Sequence, residues 1–376
     1  MTHVSERNRT VVGGFVDPAM DAVRTAFGSL LESGAETGAA LAVIRHGTVV
    51  VDLYGGWRDV DRRLPWTPDT LVNVFSVGKP VAALAILLLA ERGRLELDDR
   101  VARHWPEFAA AGKERTTVRQ VLSHTAGLPA FPVPRDAAAY GDWGVLVGDL
   151  AGAAPEWPPG TAAGEHALTY GHLVGELVRR VDGRPLGRFL AEEIAGPWRL
   201  DLRFGLSAAD QRRCADLEYG DPDWPAASSA EPDSLYHRAL TNPPGVRDLA
   251  LLNSALWRSA EVPAVNLHTT ATALARLYAA LLAGGVLDGV RLFGDDVAAQ
   301  WATPAFEGPD LVLGRTVRWT SGGMQLEDDG SWGMGGIGGS VGYVEPAPGL
   351  ALAYVTRRLA GFDRIETLAR AVLSAG

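Results

Sequence analysis

The 376-residue chain has a single cysteine, Cys214, so no disulfide can form within it. A lone thiol also fits a reducing compartment. Long hydrophobic runs are missing. The longest, Pro80 to Ala90, is too short to span a bilayer and ends in charge. The start, MTHVSERNRTVVGGFVDPAM, has neither the basic opening nor the apolar run of a secretory signal, so the cytoplasm is the expected location. Positive charge is in deficit, with a formal net charge of −10, which argues against nucleic acid or an anionic membrane surface as partner. Lysine is scarcest of all: only Lys79 and Lys113 occur among 35 Lys and Arg residues.

What is present reads as globular, since 47% of residues are hydrophobic and 21% charged, enough apolar material for a large core. Asp17-Pro18 reads as a helix cap followed by proline, opening a helix to about Ser33 with Val23, Phe27, Leu30 and Leu31 on one face. The run AALAVIRHGTVVVDLYGG reads as two strands around His46-Gly47. An apolar helix follows from about Val77, and short helical patterns such as LTYGHLVGELVRRVDG come later. Another helix is expected from His268 to Leu282, closed by Gly284-Gly285. Near the end, SVGYVEPAPGLALAYVT gives two strands joined by a turn. DRIETLARAVLSAG then gives a helix with Ile365, Leu368, Val372 and Leu373 inward. Strands at both ends with helices between predict an α/β domain built from residues 1–75 and 263–376. A mostly helical domain, 76–262, is inserted, with the active site between the two.

Two stretches compete to present a nucleophilic serine. GGSVG, Gly338 to Gly342, matches the G-x-S-x-G elbow, but all eight histidines precede Ser340, whereas the elbow mechanism needs an acid and then a histidine after it. The sequence beyond it also continues as a strand, so these glycines read as a close backbone approach. Ser76-Val77-Gly78-Lys79 matches S-x-x-K. Pro80 is tolerated only in a first helical turn, which fixes a helix start near Ser76, and residues three apart share a face. Arginine cannot give up its proton in a protein, whereas a buried lysine can and then serves as base for a neighbouring hydroxyl. That requirement accounts for a lysine at position 79 of an arginine-rich chain.

Taken in order, FSVGKP, LELDDRVARHWPEFA, VRQVLSHTAGLP, WPPGTAAGEHALTYGHLVGELVRRVDGR, RALTNPP, HTTATALARLYAALLAGG and GMGGIGGSVGYVEP resemble the serine β-lactamase and penicillin-binding-protein superfamily. The resemblance covers nearly the whole chain and falls on the class C-like branch, with the family VIII carboxylesterases and related acyltransferases. It implies an antiparallel sheet flanked by helices with the helical domain inserted. It also implies a tyrosine beside the serine and lysine to move the proton, and LTYGHL puts Tyr170 in that place. His172 stands where class C β-lactamases carry an asparagine that binds the lactam side-chain amide. Met334-Gly335-Gly336 stands where the family's Lys-Thr-Gly is found, so the usual cation is absent. The oxyanion hole implied is the N–H groups of Ser76 and Ile337, with Gly336 allowing close approach.

His124, in LSHTAGLP, reads as a loop-bracing residue, and the spacing of His166 and His172 does not suit a metal. Trp143, Trp157, Trp224 and Trp257 lie in proline-rich connections, where they either pack or line an acyl pocket. The expectation is a serine acyl-transfer enzyme without metal or organic cofactor, forming an acyl-enzyme on Ser76 from a small-molecule ester. Acyl transfer to an amine or alcohol is the alternative to hydrolysis. A β-lactamase, a D,D-peptidase or a non-catalytic binding relative stands further off.

Overall fold

The computed structural model describes residues 12–222, 224, 231–232 and 234–375. Nine strands form one antiparallel sheet. From one edge it runs Val12–Val16, Thr48–Gly56, Gly38–Arg45, Leu350–Thr356, Val341–Glu345, Trp332–Gly335, Gln325–Leu326, Arg315–Thr320 and Pro304–Asp310. The His46-Gly47 turn forms as expected, both residues having positive φ (47° and 79°), which suits the twist of a tight hairpin. The two ends of the chain meet at the centre of the sheet, where Leu41 pairs with Tyr354.

Both central strands are buried on both faces, and their period of two sorts the side chains. Ala39, Leu41, Val43, Leu352 and Tyr354 meet Val23, Phe27, Leu31, Ile365, Leu368 and Val372 of the helices Asp21–Glu32 and Asp363–Ser374. Ala40, Ala42, Ile44, Ala351 and Ala353 face the other way, onto Leu274 and Tyr278 of the Ala271–Leu282 helix. Leu30 is half-buried, and Leu373, expected inward, is 45% exposed because it sits in the helix's last turn, past its apolar stripe.

The Gly78–Glu91 helix is buried from Gly78 to Leu89, with Lys79 its only charged buried residue. A helix that is apolar all round belongs in a core, and each fully buried leucine or isoleucine contributes about 1.5–3 kcal/mol. Thr169–Asp182 packs beside it and stops at Gly183 in the left-handed conformation (φ 94°).

The helix expected from His268 starts later, at Ala271, because Thr270 caps it by accepting a hydrogen bond from the N–H of Ala273 (3.1 Å). His268–Thr269 is instead a short strand between Val72–Asn73 and Leu202–Arg203. That pairing anchors the segment leading to Ser76. Among the described residues, no helix is long and apolar enough to cross a membrane.

Candidate active site

The approach to Ser76 is tightly constrained. Beyond the Val72–Asn73 strand, Val74 donates its N–H to the carbonyl of Leu267 (2.9 Å). Phe75, fully buried, has φ 50°. A left-handed phenylalanine costs about 1–3 kcal/mol and persists only where the surroundings over-determine it. The chain then turns at once into helix, with Gly78 donating to Phe75 O (2.9 Å) and Lys79 to Ser76 O (3.0 Å). A Cβ on Gly78 would lie 2.9 Å from both Leu267 Cβ and the carbonyl oxygen of Pro263, so only glycine fits the helix mouth.

Lys79 Nζ donates to Ser76 Oγ (2.7 Å) and pairs with Glu165 Oε1 at 3.0 Å. Burial pulls the Lys79 ammonium below the usual lysine range, while Glu165 opposes the shift. Among the described residues the other lysine has no carboxylate partner. Lys113 donates to the carbonyls of Ala110, Ala151 and Ala153 and lies over the Phe108 ring, a structural role.

Glu165 comes from the loop before the Thr169–Asp182 helix, and a dense network holds that loop. Its N–H donates to Asp310 Oδ1 (3.1 Å) at the end of the sheet's edge strand, and Asp310 also accepts from Trp319 Nε1. His166 donates its backbone N–H to His124 Nδ1 (3.0 Å) and its ring Nδ1–H to Gly164 O, while its Nε2 accepts from Leu128 N–H. His124, at φ 61°, packs between the Trp319 and Tyr170 rings. It braces the loop, as expected. Burial lowers both imidazoles, His166 to about 4, so both remain neutral.

Ser76 and Glu165 open on a cavity of about 310 Å³. One wall is the loop carrying Met334, Gly335, Gly336 and Ile337, and Tyr236, Leu240, Leu313 and Phe362 add further, mostly apolar, side chains. Arg315, which donates to Gln325 Oε1 (2.6 Å), stands at the polar end. A Cβ on Gly336 would meet the carbonyl oxygen of Val74 at 2.3 Å, so the loop lies directly on the segment that carries Ser76. The N–H of Ile337 has no acceptor among the described residues. Met334 is buried against Ala163, Val317 and Trp319. A larger cavity of about 540 Å³ lies elsewhere, and its arginines are already ion-paired, Arg135 with Asp149 and Arg238 with Glu156.

Of the residues expected at the site, the structure brings together Ser76, Lys79, Met334, Gly336 and Ile337. Tyr170 is not joined to them. Its hydroxyl donates to Leu122 O (3.2 Å) and faces Gly323, it makes no hydrogen bond to Ser76 or Lys79, and burial pushes its phenol further up. His172 is also displaced from the cavity, stacked on Trp143 (4.7 Å) and edge-on to Phe131, with burial lowering it to about 4. Both lie in a helix whose first ten residues are all buried.

Glu165 is the residue that sequence reasoning missed. Its only trace was a carboxylate in AAGEHALTY just before an apolar helix. Ser340, the rival nucleophile, is buried, and its Oγ accepts from Thr356 N–H (3.2 Å). None of the four tryptophans considered for an acyl pocket lines the Ser76 cavity. Among the described residues no group of three or more His, Cys, Asp or Glu is arranged to hold a metal ion.

A serine hydroxyl held by a buried lysine at a cavity wall, on this sheet-and-helix frame, defines a serine hydrolase. The chain belongs to the β-lactamase family, whose model (Beta-lactamase) matches residues 23–376. It is similar to the esterase/β-lactamase LipL of Mycobacterium tuberculosis, 34% identical over 363 residues, or 93% of this chain and 83% of that protein. Among solved structures it resembles a family VIII carboxylesterase (TM-score 0.89, 33% identity) and a penicillin-binding-protein homologue from Caulobacter crescentus (TM-score 0.87, 38% identity). Each match covers 97% of this chain and 100% of the other. The fold is therefore β-lactamase-like.

Proposed function

We propose that the protein is a serine esterase acting on small-molecule esters through an acyl-enzyme on Ser76. The observation that carries this reading is the 2.7 Å contact between Lys79 Nζ and Ser76 Oγ at the wall of a cavity lined in part by apolar side chains. The names of similar proteins, an esterase/β-lactamase and a family VIII carboxylesterase, support it.

Neutral Lys79 takes the hydroxyl proton as Ser76 Oγ attacks the ester carbonyl. The N–H groups of Ser76 and Ile337 receive the oxyanion, and Gly336 lets the loop come close enough for them to converge. Tyr236, Leu240, Met334 and Phe362 accept the acyl group by burying it. Water completes hydrolysis. The catalytic serine and lysine then come from the helical part, 76–262, and the oxyanion loop from the part built by 1–75 and 263–376. Met334 in place of a cation, and His172 packed away from the cavity, weigh against a β-lactam substrate.

The test is turnover of a short-chain p-nitrophenyl ester, with Ser76→Ala as the control. Wild type should release p-nitrophenol and the variant should not; equal turnover by both overturns the reading. Adding an amine or alcohol and analysing the products separates hydrolysis from transacylation.

A further inference from the structure

As the acyl-enzyme forms, the leaving alkoxide must be protonated, either by the group that took the serine proton or by a second carrier beside it. On the esterase reading just given, we infer that Glu165 is that carrier, exchanging a proton with Lys79 and delivering it to the departing alcohol. Three observations converge on Glu165. Its carboxylate pairs with Lys79 at 3.0 Å. Its side chain lines the same cavity as Ser76. Its loop is locked to the sheet through Asp310 and to the core through His166 and His124, so the carboxylate is presented from a rigid mount.

The protons balance over the acylation step. The resting pair is the Lys79 ammonium with the Glu165 carboxylate. Passing one proton across the 3.0 Å contact gives a neutral amine and a carboxylic acid, a step favoured by the complete burial of Lys79. The amine removes the Ser76 proton as Oγ bonds to the carbonyl carbon. When the tetrahedral intermediate collapses and the carbon–oxygen bond to the leaving group breaks, Glu165 gives its proton to the alkoxide. The pair ends as it began, beside an ester of Ser76 and a free alcohol.

Other groups near the pair are less suited. Asp310 is occupied by backbone and Trp319 N–H donors. His124 and His166 are neutral and bonded within the loop. Arg315 is engaged with Gln325 Oε1 (2.6 Å). Tyr236, also at the wall, has its hydroxyl against Arg247.

The experiment compares two esters of one acid, an ethyl ester and a p-nitrophenyl ester, by kcat/KM in wild type and in Glu165→Gln. Ethoxide cannot leave without a proton, and p-nitrophenolate can. Expected is a loss of about 100-fold or more on the ethyl ester with a much smaller loss on the p-nitrophenyl ester. Equal losses on both, or no loss on either, overturn the role; equal losses describe a residue that only positions Lys79. Wild type gives a second reading that does not depend on the variant folding. Its kcat/KM should change little as the leaving group is varied from p-nitrophenol to ethanol, and a steep dependence overturns the inference. Absence of any acyl group on Ser76 in wild type removes the esterase reading and this one together, and is seen separately by mass spectrometry.

Discussion

Gly336 rests on Val74: a Cβ at position 336 would fall 2.3 Å from the Val74 carbonyl oxygen, two residues before Ser76. The loop that carries the Ile337 N–H and the segment that carries the nucleophile are thus packed backbone to backbone. Gly336→Ala must push them apart. It should lower kcat/KM on esters by on the order of 10²–10³, the usual cost of losing one oxyanion donor. Steady-state kinetics beside a thermal melt checks this, and unchanged kcat/KM would remove Ile337 from the oxyanion hole.

A second contact holds the same loop from behind. Glu36 is fully buried, accepting from Arg364 Nη1 (2.7 Å), Thr356 Oγ1 and Tyr354 OH, and Arg364 Nη2 donates to Gly338 O (3.0 Å). Removing one partner of a buried pair leaves the other charge uncompensated, at about 3–5 kcal/mol. Glu36→Gln should therefore lower stability toward urea by about that amount and reduce kcat through the loop. Denaturation and kinetics on the same sample check both effects.

Burial also makes stability depend on pH. His166 and His172 are lowered to about 4 and His268 to about 3, each chiefly by burial. A folded pKa below the unfolded value of about 6.5 means the unfolded chain binds protons first as pH falls. Stability is then fully present above about pH 6.5 and is lost as pH falls toward 4. His172→Phe, which keeps a ring against Trp143, should lose less stability between pH 7 and pH 4.5 than wild type, by on the order of 2 kcal/mol. Urea midpoints at the two pH values measure the difference.

The parts of the site legible in the sequence are local ones. Ser76 and Lys79 are three residues apart on one helical turn, and a rare lysine in an arginine-rich chain draws attention to position 79. The glycines of GMGGIGGS announce a close approach, and His46-Gly47 announces a hairpin. Glu165 was not legible because its meeting with Lys79 depends on how the loop before Thr169–Asp182 is pinned to the sheet edge through Asp310, a tertiary contact with no sequence spacing. Tyr170, expected beside the serine and lysine, instead donates its hydroxyl to Leu122 O, a tertiary contact that the order of motifs does not reveal. The central pairing of Leu41 with Tyr354 likewise joins segments from opposite ends of the chain.

Position 79 carries the central claim, that the cation beside Ser76 must be able to lose its proton. The direct measurement is mass spectrometry of the Ser76 peptide after brief exposure to a p-nitrophenyl ester, for wild type and Lys79→Arg. Wild type should carry one acyl group on Ser76, and the arginine variant, folded and with its charge kept, should carry none. Acylation of the variant at the wild-type rate, or of wild type at a residue other than Ser76, would contradict the account.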